Sequence, residues 1–524
     1  VGGLELIAVL GVTVLIGTTL GGRYSVAPPV LLIAMGALLG LLPPFSHVVL
    51  DPEVVLLLFL PAILYRESLV ISLREIRANF AVITLLAVAL VILTTVAVAY
   101  AARALGVDPA AAWVLGAVLA PTDAAAVAGL AKRMPRGILT TLRAESLIND
   151  GTALVLFSVA VGVIAGGAVP GAPGLVGRFV GSAAAGVVAG LLVGGAAVFI
   201  RKHVDDPLRE GGISILTPFV AFLLAESVHA SGVLAVVVAG LLISYAAPRV
   251  IRARSRITAF AFWDISTFMI NGSLFVLLGM QVPRSLRSIT SHSPMQSLGI
   301  AMVVTAVVVL TRMTWVHLST SALQAVERRV SRRAGRFDWR VRTAAGWAGF
   351  RGAVSLAAAL AVPVATSAGT PVHERDLIIF VTVTVIVLTM LIQGTTLPAV
   401  VGWAGLMGDR EREDEVRWAR IRATEAALSA LPQVAVDVGA SPDTVERLRS
   451  DYQEYLDEVR APRSEQNVQE RETARRLRLG VLDEKRREIT RLRNTNKIDD
   501  AVLREVQAAL DIEEIRLLGP TTED

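Results

Sequence analysis

Glu145, Ser146, Asn149 and Asp150 crowd into one stretch, Arg143-Ala144-Glu145-Ser146-Leu147-Ile148-Asn149-Asp150-Gly151, which opens a long apolar segment. Another acid, Asp123, follows Pro121-Thr122 midway through the apolar segment before it. Such groups are expensive in hydrocarbon, and where they occur they mark ion or proton pathways. Ser146 and Asp150 are spaced i,i+4 and share one face of a helix, while Glu145 and Asn149 share the neighbouring face. The first pair suits coordination of an ion and the second a structural role. Pro121 removes a backbone hydrogen bond and helps open the helix, and that opening frees the carbonyls of Ala120 and Thr122 as further oxygen ligands. Carboxylate, hydroxyl and carbonyl oxygens suit a hard alkali cation. A carboxylate taken out of water holds its proton, and an approaching cation displaces it. Proton and cation then compete for one site, which is the chemistry of exchange. If Asp150 alone cycles its charge, one proton trades for one monovalent cation and no net charge moves. Its neighbour Asn149 is neutral and adds no second titrating group.

Both acids need a membrane around them. The chain has 524 residues, is 54% hydrophobic and has a mean hydropathy of +0.61, with the apolar residues gathered in long runs. That pattern is the signature of spanning helices. Thirteen spans are expected, at 4–21, 26–42, 54–72, 80–105, 110–131, 141–168, 177–200, 213–228, 231–246, 258–282, 297–323, 341–364 and 375–405. The eighth and ninth are short and nearly continuous, so the stretch 213–246 reads either as two spans or as one re-entrant pair. Val1 runs straight into apolar sequence with no cleavable leader visible, so the start is read as the first span.

Charge in the connections orients these spans. Alternate loops carry Arg23, then Arg74 and Arg77, then Lys132, Arg133, Arg136 and Arg143, then Arg201, Lys202 and Arg209, then Arg249 to Arg256, and last the cluster from Arg328 to Arg342. The intervening loops are poor in basic residues. The bias places the rich loops in the cytoplasm, the N-terminus outside and the C-terminus inside. It also accounts for the net charge of +5 without a nucleic-acid partner. With no cysteine and six scattered histidines, thiolate and zinc chemistry are not expected, nor is any cofactor.

Thirteen spans divide as six, a linker and six, which inverts the second half relative to the first. Inverted repeats with a midplane site are a transporter signature. The fifth span, with Ala120-Pro121-Thr122-Asp123, and the twelfth, with Gly349-Phe350-Arg351-Gly352, are both small-residue helices interrupted near the middle. At ~1.5 Å per residue, Asp123 and Asp150 each lie roughly 14–20 Å deep on consecutive antiparallel helices, near the centre of a ~30 Å core. A buried Glu145 needs a partner, and Arg351 of the interrupted twelfth span is the expected one. Asp264 and Arg312 are read as a structural pair or as residues snorkelling to the interface. Glu226 and His229 are read as interfacial. Arg143 is assigned to the cytoplasmic charge belt. From 408 the composition turns dense in Arg and Glu with helical spacing of apolar residues, so residues 1–407 form a membrane domain and 408–524 a helical cytoplasmic tail.

The ordered set Ala120-Pro121-Thr122-Asp123, Glu145-Ser146-Leu147-Ile148-Asn149-Asp150 and Gly349-Phe350-Arg351-Gly352-Ala353-Val354-Ser355 resembles the motifs of the electroneutral sodium/proton exchangers. These belong to the monovalent cation:proton antiporter superfamily, and the resemblance covers roughly 51–405. It implies an all-α polytopic fold with two inverted six-helix repeats, two broken, crossing helices, a dimerising scaffold and alternating access. It also implies that Asp150 and Asp123 bind Na⁺ with help from Ser146 and Thr122, that Glu145 pairs with Arg351, and that Asn149 steadies the broken helices. Leu60-Pro61-Ala62-Ile63-Leu64-Tyr65-Arg66-Glu67 resembles a further motif of the family that is followed by an acid, which makes Glu67 an accessory candidate. Gln393-Gly394-Thr395 resembles an element of the last span. The implied activity is exchange of Na⁺, or of Li⁺ or K⁺, for H⁺ across the plasma membrane by a homodimer. The rival from another class, a cation channel, would place its filter on a subunit axis rather than on adjacent helices of one chain.

Overall fold

Backbone groups in hydrocarbon must find their partners inside the segment, which leaves helices as the available spanning form for a chain patterned like this one. The structure is a computed structural model and describes residues 3–518, apart from 25, 46–47, 49–51, 72, 124–133, 135, 167–170, 205, 331–338, 367–368, 373, 407–409, 462–464 and 496. Among the described residues all regular structure is helical, save one isolated bridge between Ala365 and Pro371.

In chain order, α1 is Gly3–Tyr24 and α2 is Pro28–Leu41. A π-helical turn, Val54–Phe59, leads into α3, Leu60–Val70, and α4 is Leu73–Ala78. Helices α5, Phe80–Thr84, and α6, Leu90–Ala104, are joined through a second π-turn, Leu85–Ala89. Then come α7, Pro109–Leu119; α8, Arg136–Ile164; α9, Ala172–Arg201; α10, Pro207–Ser227; and α11, Gly232–Val250. They are followed by α12, Ala253–Arg287; α13, Pro294–Val330; α14, Trp339–Trp347; α15, Ala353–Leu360; and α16, Arg375–Trp403.

Among the described residues nine helical stretches are long and apolar enough to cross a membrane: α1, the run Phe80–Ala104, and the helices α8, α9, α10, α11, α12, α13 and α16. The remaining expected spans fall on shorter or interrupted elements: α2, the π-turn with α3, α7, and the pair α14 and α15. Two of these, α7 and the α14–α15 pair, are the spans whose sequences carry the internal breaks. The far half of the fifth span, 124–131, lies outside the described residues, as do the loop charges at 132, 133, 332, 333 and 336. The ambiguous stretch 213–246 forms two separate helices, α10 of 21 and α11 of 19 residues. His229, at φ 55°, turns the chain between them, and Ser231 Oγ accepts from Leu234 N to cap α11.

Close packing between spans comes from small residues, because lipid gives helices no hydrophobic reason to associate. Along α9 the glycines at 186, 190 and 194 recur every fourth residue and lie against Ser231, the cap of α11, and against Ala235 and Ala239 within it. A Cβ at Gly190 would sit 2.5 Å from the Ala235 carbonyl oxygen, whereas a Cβ at Gly195, on the other side of α9, would meet nothing within 4 Å. Helix α12 approaches α2 in the same way through Gly279, Gly36 and Gly40.

The chain separates into two compact units, Val1–Gly408 and Asp409–Asp524. The second contains α17, Arg410–Val438; α18, Pro442–Arg460; α19, Glu465–Asn494; and α20, Asp500–Leu518. They pack as two antiparallel pairs. In one, Arg417 donates to the carbonyls of Val459, Arg460 and Ala461 at the end of α18, and Arg460 pairs with Glu425 at 2.5 Å. In the other, Lys485 pairs with Glu513 at 3.1 Å, and Arg486 pairs with Asp511 at 2.6 Å and also with Glu514. Asp499 caps α20 by accepting from Ala501 N and Val502 N, and those two donors hold its carboxyl below the usual range.

The α9–α11 seam yields a direct expectation. Gly190→Val should destabilise the protein by about 1–3 kcal/mol through backbone overpacking, while Gly195→Val should be nearly neutral. Thermal unfolding of the two variants in detergent checks this, and equal behaviour would contradict it.

Candidate functional site

The site begins where α7 stops. Pro121 follows the end of the helix at Leu119, and residues 121–123 are not helical. A helix that ends in mid-membrane leaves carbonyls without partners. Arg351 supplies one: its Nε donates to Leu119 O at 3.1 Å, and its Nη1 donates to Gly349 O at 2.5 Å. The second break, between α14 and α15, runs alongside the first. Asp123 N donates to Phe350 O at 2.9 Å, so the two interruptions are joined backbone to backbone. Gly352, which precedes α15, lies so close to the Asp123 carboxylate that any Cβ there would collide with it. The acid therefore sits at the positive N-terminal end of α15.

Helix α8 clamps the first break through one residue. Thr122 Oγ1 donates to Glu145 Oε1 at 3.1 Å and accepts from Asn149 Nδ2 at 2.8 Å, and Thr122 O accepts from Ser146 Oγ at 2.9 Å. The i,i+4 spacing of Glu145 and Asn149 lets both reach the same hydroxyl. On the next face Asp150, 6% exposed, lines a cavity of about 50 Å³ together with Thr122, Asp123, Ser146 and Glu67. At roughly 10–15 Å³ for a single water's probe volume, that space holds a few waters or a largely dehydrated ion. Asn271 of α12, Ser355 of α15 and Arg143 of α8 complete the polar part of the lining.

Glu145 does not pair with Arg351. Its carboxylate takes a two-point ion pair from Arg312 of α13, with Nη1 on Oε1 and Nη2 on Oε2, the latter at 3.1 Å. Both side chains are 1% exposed. Arg312 Nε also donates to Gly346 O at 3.1 Å, near the end of α14. Gly349 leaves room for that guanidinium, which a Cβ at 349 would strike. Each broken element thus ends against its own arginine, Arg351 at α7 and Arg312 at α14, which is the favourable placement of a cation at a helix C-terminus. The expected partnership failed because Arg351 is consumed by carbonyls created by the breaks. A count of side-chain charges does not include those carbonyls.

Two further assignments change. Arg312 and Asp264 are not partners: Asp264 takes Arg66, with Oδ1 at 2.6 Å from Nη2. That directs Arg66 to α12 and leaves its neighbour Glu67 facing the cavity. Arg143 belongs with the site, because it lines the cavity and its Nε lies 3.5 Å from Glu67 Oε2. Asn271 and Ser355 were not singled out from the sequence. An amide within the tenth span was the available signal for Asn271, and Ser355 stood inside a recognised motif without an assigned role.

A fully desolvated pair is worth little when intact and costs about 3–5 kcal/mol when one partner is removed. Glu145→Gln and Arg312→Gln should each lose stability on that scale, and the double variant should be no worse than either single one. Thermal unfolding of the three in detergent tests this, and losses that simply add would contradict the pairing.

Comparison with known proteins gives the arrangement its family. The family model described as "Sodium/hydrogen exchanger, transmembrane" matches residues 11–403. An uncharacterised Na(+)/H(+) exchanger of Mycobacterium tuberculosis is 54% identical over 525 aligned residues, covering 99% of this chain and 97% of that one. The sodium, potassium, lithium and rubidium/H(+) antiporter of Bacillus subtilis is 33% identical over 71% of this chain and 57% of its own length. Among solved structures, the sodium proton antiporter MjNhaP1 of Methanocaldococcus jannaschii superposes with a TM-score of 0.58, at 20% identity, over 76% of this chain and 98% of that one, a likeness of fold. This polytopic membrane protein belongs to the sodium/hydrogen exchanger family, the sodium/proton branch of the monovalent cation:proton antiporter superfamily.

Proposed function

We propose that the protein exchanges Na⁺ for H⁺ one for one, with both ions competing for Asp150 in an alternating-access cycle. The observation that carries this reading is the small cavity shared by Asp150, Asp123, Ser146 and Thr122 beside two joined helix breaks. Asp150 and Asp123 bind the cation, Ser146 and the Thr122 carbonyl complete its oxygen shell, and Glu67 serves as an accessory acid on the approach. Ser146 Oγ and Thr122 O bond each other in the present arrangement, so a cation would replace one internal hydrogen bond rather than enter a set of unmet groups. Glu145, Asn149, Arg312 and Arg351 carry the framework. The three charges are met within the protein and Asn149 Nδ2 is held by Thr122, so they do not cycle. The neutral Asn149 beside Asp150 supports an electroneutral stoichiometry, because a second carboxylate there would bring a second proton.

The alternation of basic loops supports a plasma-membrane orientation with the N-terminus outside and the second unit in the cytoplasm. In this reading the unit from 409 is a regulatory module, and the transporter works as a homodimer through scaffold helices other than those that hold the breaks. The relative in Bacillus subtilis is named for potassium, lithium and rubidium as well as sodium. A site of carboxylate, hydroxyl and carbonyl oxygens admits all four in principle, and cavity size orders them.

Proteoliposomes holding the full chain and an internal pH dye test the reading. An inward Na⁺ gradient should drive protons out with the membrane potential clamped at zero, and K⁺, Li⁺ and Rb⁺ in place of Na⁺ give the preference. Asp150→Asn should abolish the exchange. Retained exchange in that variant would remove Asp150 from its role, and flux that follows voltage without moving protons would overturn the antiport reading in favour of a channel.

A further inference from the structure

Buried charge also collects at the Arg201 end of α9, away from the cation site. A cavity of about 190 Å³ lies among α3, α9, α10, α11 and α12, with Tyr65, Arg201, Glu210, Ser214, Ser255 and Arg256 as its polar lining. Arg201 and Glu210 are 4% and 3% exposed. Among the described residues, Arg201 Nε and Nη2, both carboxylate oxygens of Glu210, Ser255 Oγ and Arg256 Nε have no hydrogen-bond partner. Buried charges persist where they are paired or where they hold something. Among the described residues Arg201 and Glu210 are unpaired, and Arg256 is held only through Nη2, which donates to Ile251 O at 2.9 Å; together they surround open space larger than the roughly 150 Å³ that admits a benzene-sized ligand.

A second cleft, of about 270 Å³, adjoins the first through Arg201, Pro248 and Ile251 and adds Lys202, Arg249 and Arg252. Across the two, the described lining residues include five cationic side chains, at 201, 202, 249, 252 and 256, against the single acid Glu210. That balance selects an anion of more than one charge, and guanidinium forks match phosphate oxygens in geometry. A bare phosphate would leave Glu210 unmet. The ligand must therefore also carry donors.

We propose that this double cavity binds a phosphate ester of a polyol or amino alcohol, with the phosphate held by Arg201 and Arg256 and a hydroxyl or ammonium of the same molecule donating to Glu210. The exposed Lys202 and Arg249 draw the ligand in from the mouth. A phospholipid headgroup and a soluble phosphate ester share this chemistry, and basic pockets between membrane helices are places where anionic headgroups bind. Helix α3 presents Tyr65 to this cavity and Glu67 to the cation cavity, so a ligand here contacts an element of the transport site without touching the ion.

The test uses the full-length protein, stripped of lipid in detergent and titrated with phosphatidylinositol, with phosphatidylcholine, and with soluble inositol 1-phosphate. Bound lipid is counted by native mass spectrometry and stabilisation is followed by thermal unfolding. Phosphatidylinositol should be retained at one site per chain and raise the Tm. Arg201→Gln and Glu210→Gln should each weaken it about tenfold or more. Should those buried variants not fold, Arg256→Gln, at a half-buried position, carries the same expectation. Equal effects of inositol 1-phosphate would identify a soluble ester as the ligand, and effects of the lipid alone would identify the headgroup; either supports the site. Binding of neither probe, affinities unchanged in the variants, or phosphatidylcholine performing as well as phosphatidylinositol would overturn it.

Discussion

A helix interrupted inside a membrane exposes carbonyls that neither water nor lipid can satisfy, and the arrangement of this protein follows from how those carbonyls are met. Leu119 O at the end of α7 is taken by Arg351, and Gly346 O at the end of α14 by Arg312. Each arginine then brings a buried positive charge that must itself be neutralised or spread over acceptors. Arg312 is neutralised by Glu145, and Arg351 is spread over the carbonyls of Leu119 and Gly349. Glu145 in turn fixes Thr122, and Thr122 fixes the position from which Asp123 enters the cavity. One chain of polar contacts thus runs from α14 through α13 and α8 to α7. It leaves Asp150 and Asp123 at the small cavity.

This division separates charge that holds from charge that works. The framework groups have partners in which donor and acceptor both lie within the protein, so a passing ion gains little by contacting them. Asp150 lies one helical turn beyond Ser146 on the face turned from that network. Among the described residues no cation forms an ion pair with it, which keeps its carboxylate available to an ion or a proton. Helix α3 shows the same sorting on adjacent residues. Arg66 is anchored to Asp264, and Glu67 faces the cavity with Arg143 nearby.

Much of this was legible in the sequence, because hydrocarbon makes every polar residue conspicuous. Asp123, Ser146, Asn149, Asp150 and the break at Pro121 could be read from residue type and spacing, and the helices follow the apolar runs closely. The partner of Glu145 was not legible in the same way. Two arginines, Arg312 and Arg351, lay in apolar spans, and both motif logic and charge counting favoured the one beside the break. What decides between them is the direction of carbonyls at helix ends, which depends on where each helix stops in space. Contacts separated by 167 positions, as between Glu145 and Arg312, have no local signature at all. The cavity at Arg201 and Glu210 was hidden for a similar reason, since Arg201 read naturally as a member of the loop charge belt and nothing local marked Glu210.

The central claim is that proton and cation compete for one carboxylate, and the most direct test is the apparent KM for Na⁺ measured in proteoliposomes as a function of pH. Competition at Asp150 predicts that on the acid side KM rises by about tenfold for each unit of falling pH while the maximal rate at saturating Na⁺ stays nearly constant. A KM that stays flat while the maximal rate falls with acidity would mean that proton and cation occupy separate groups, and would contradict the account.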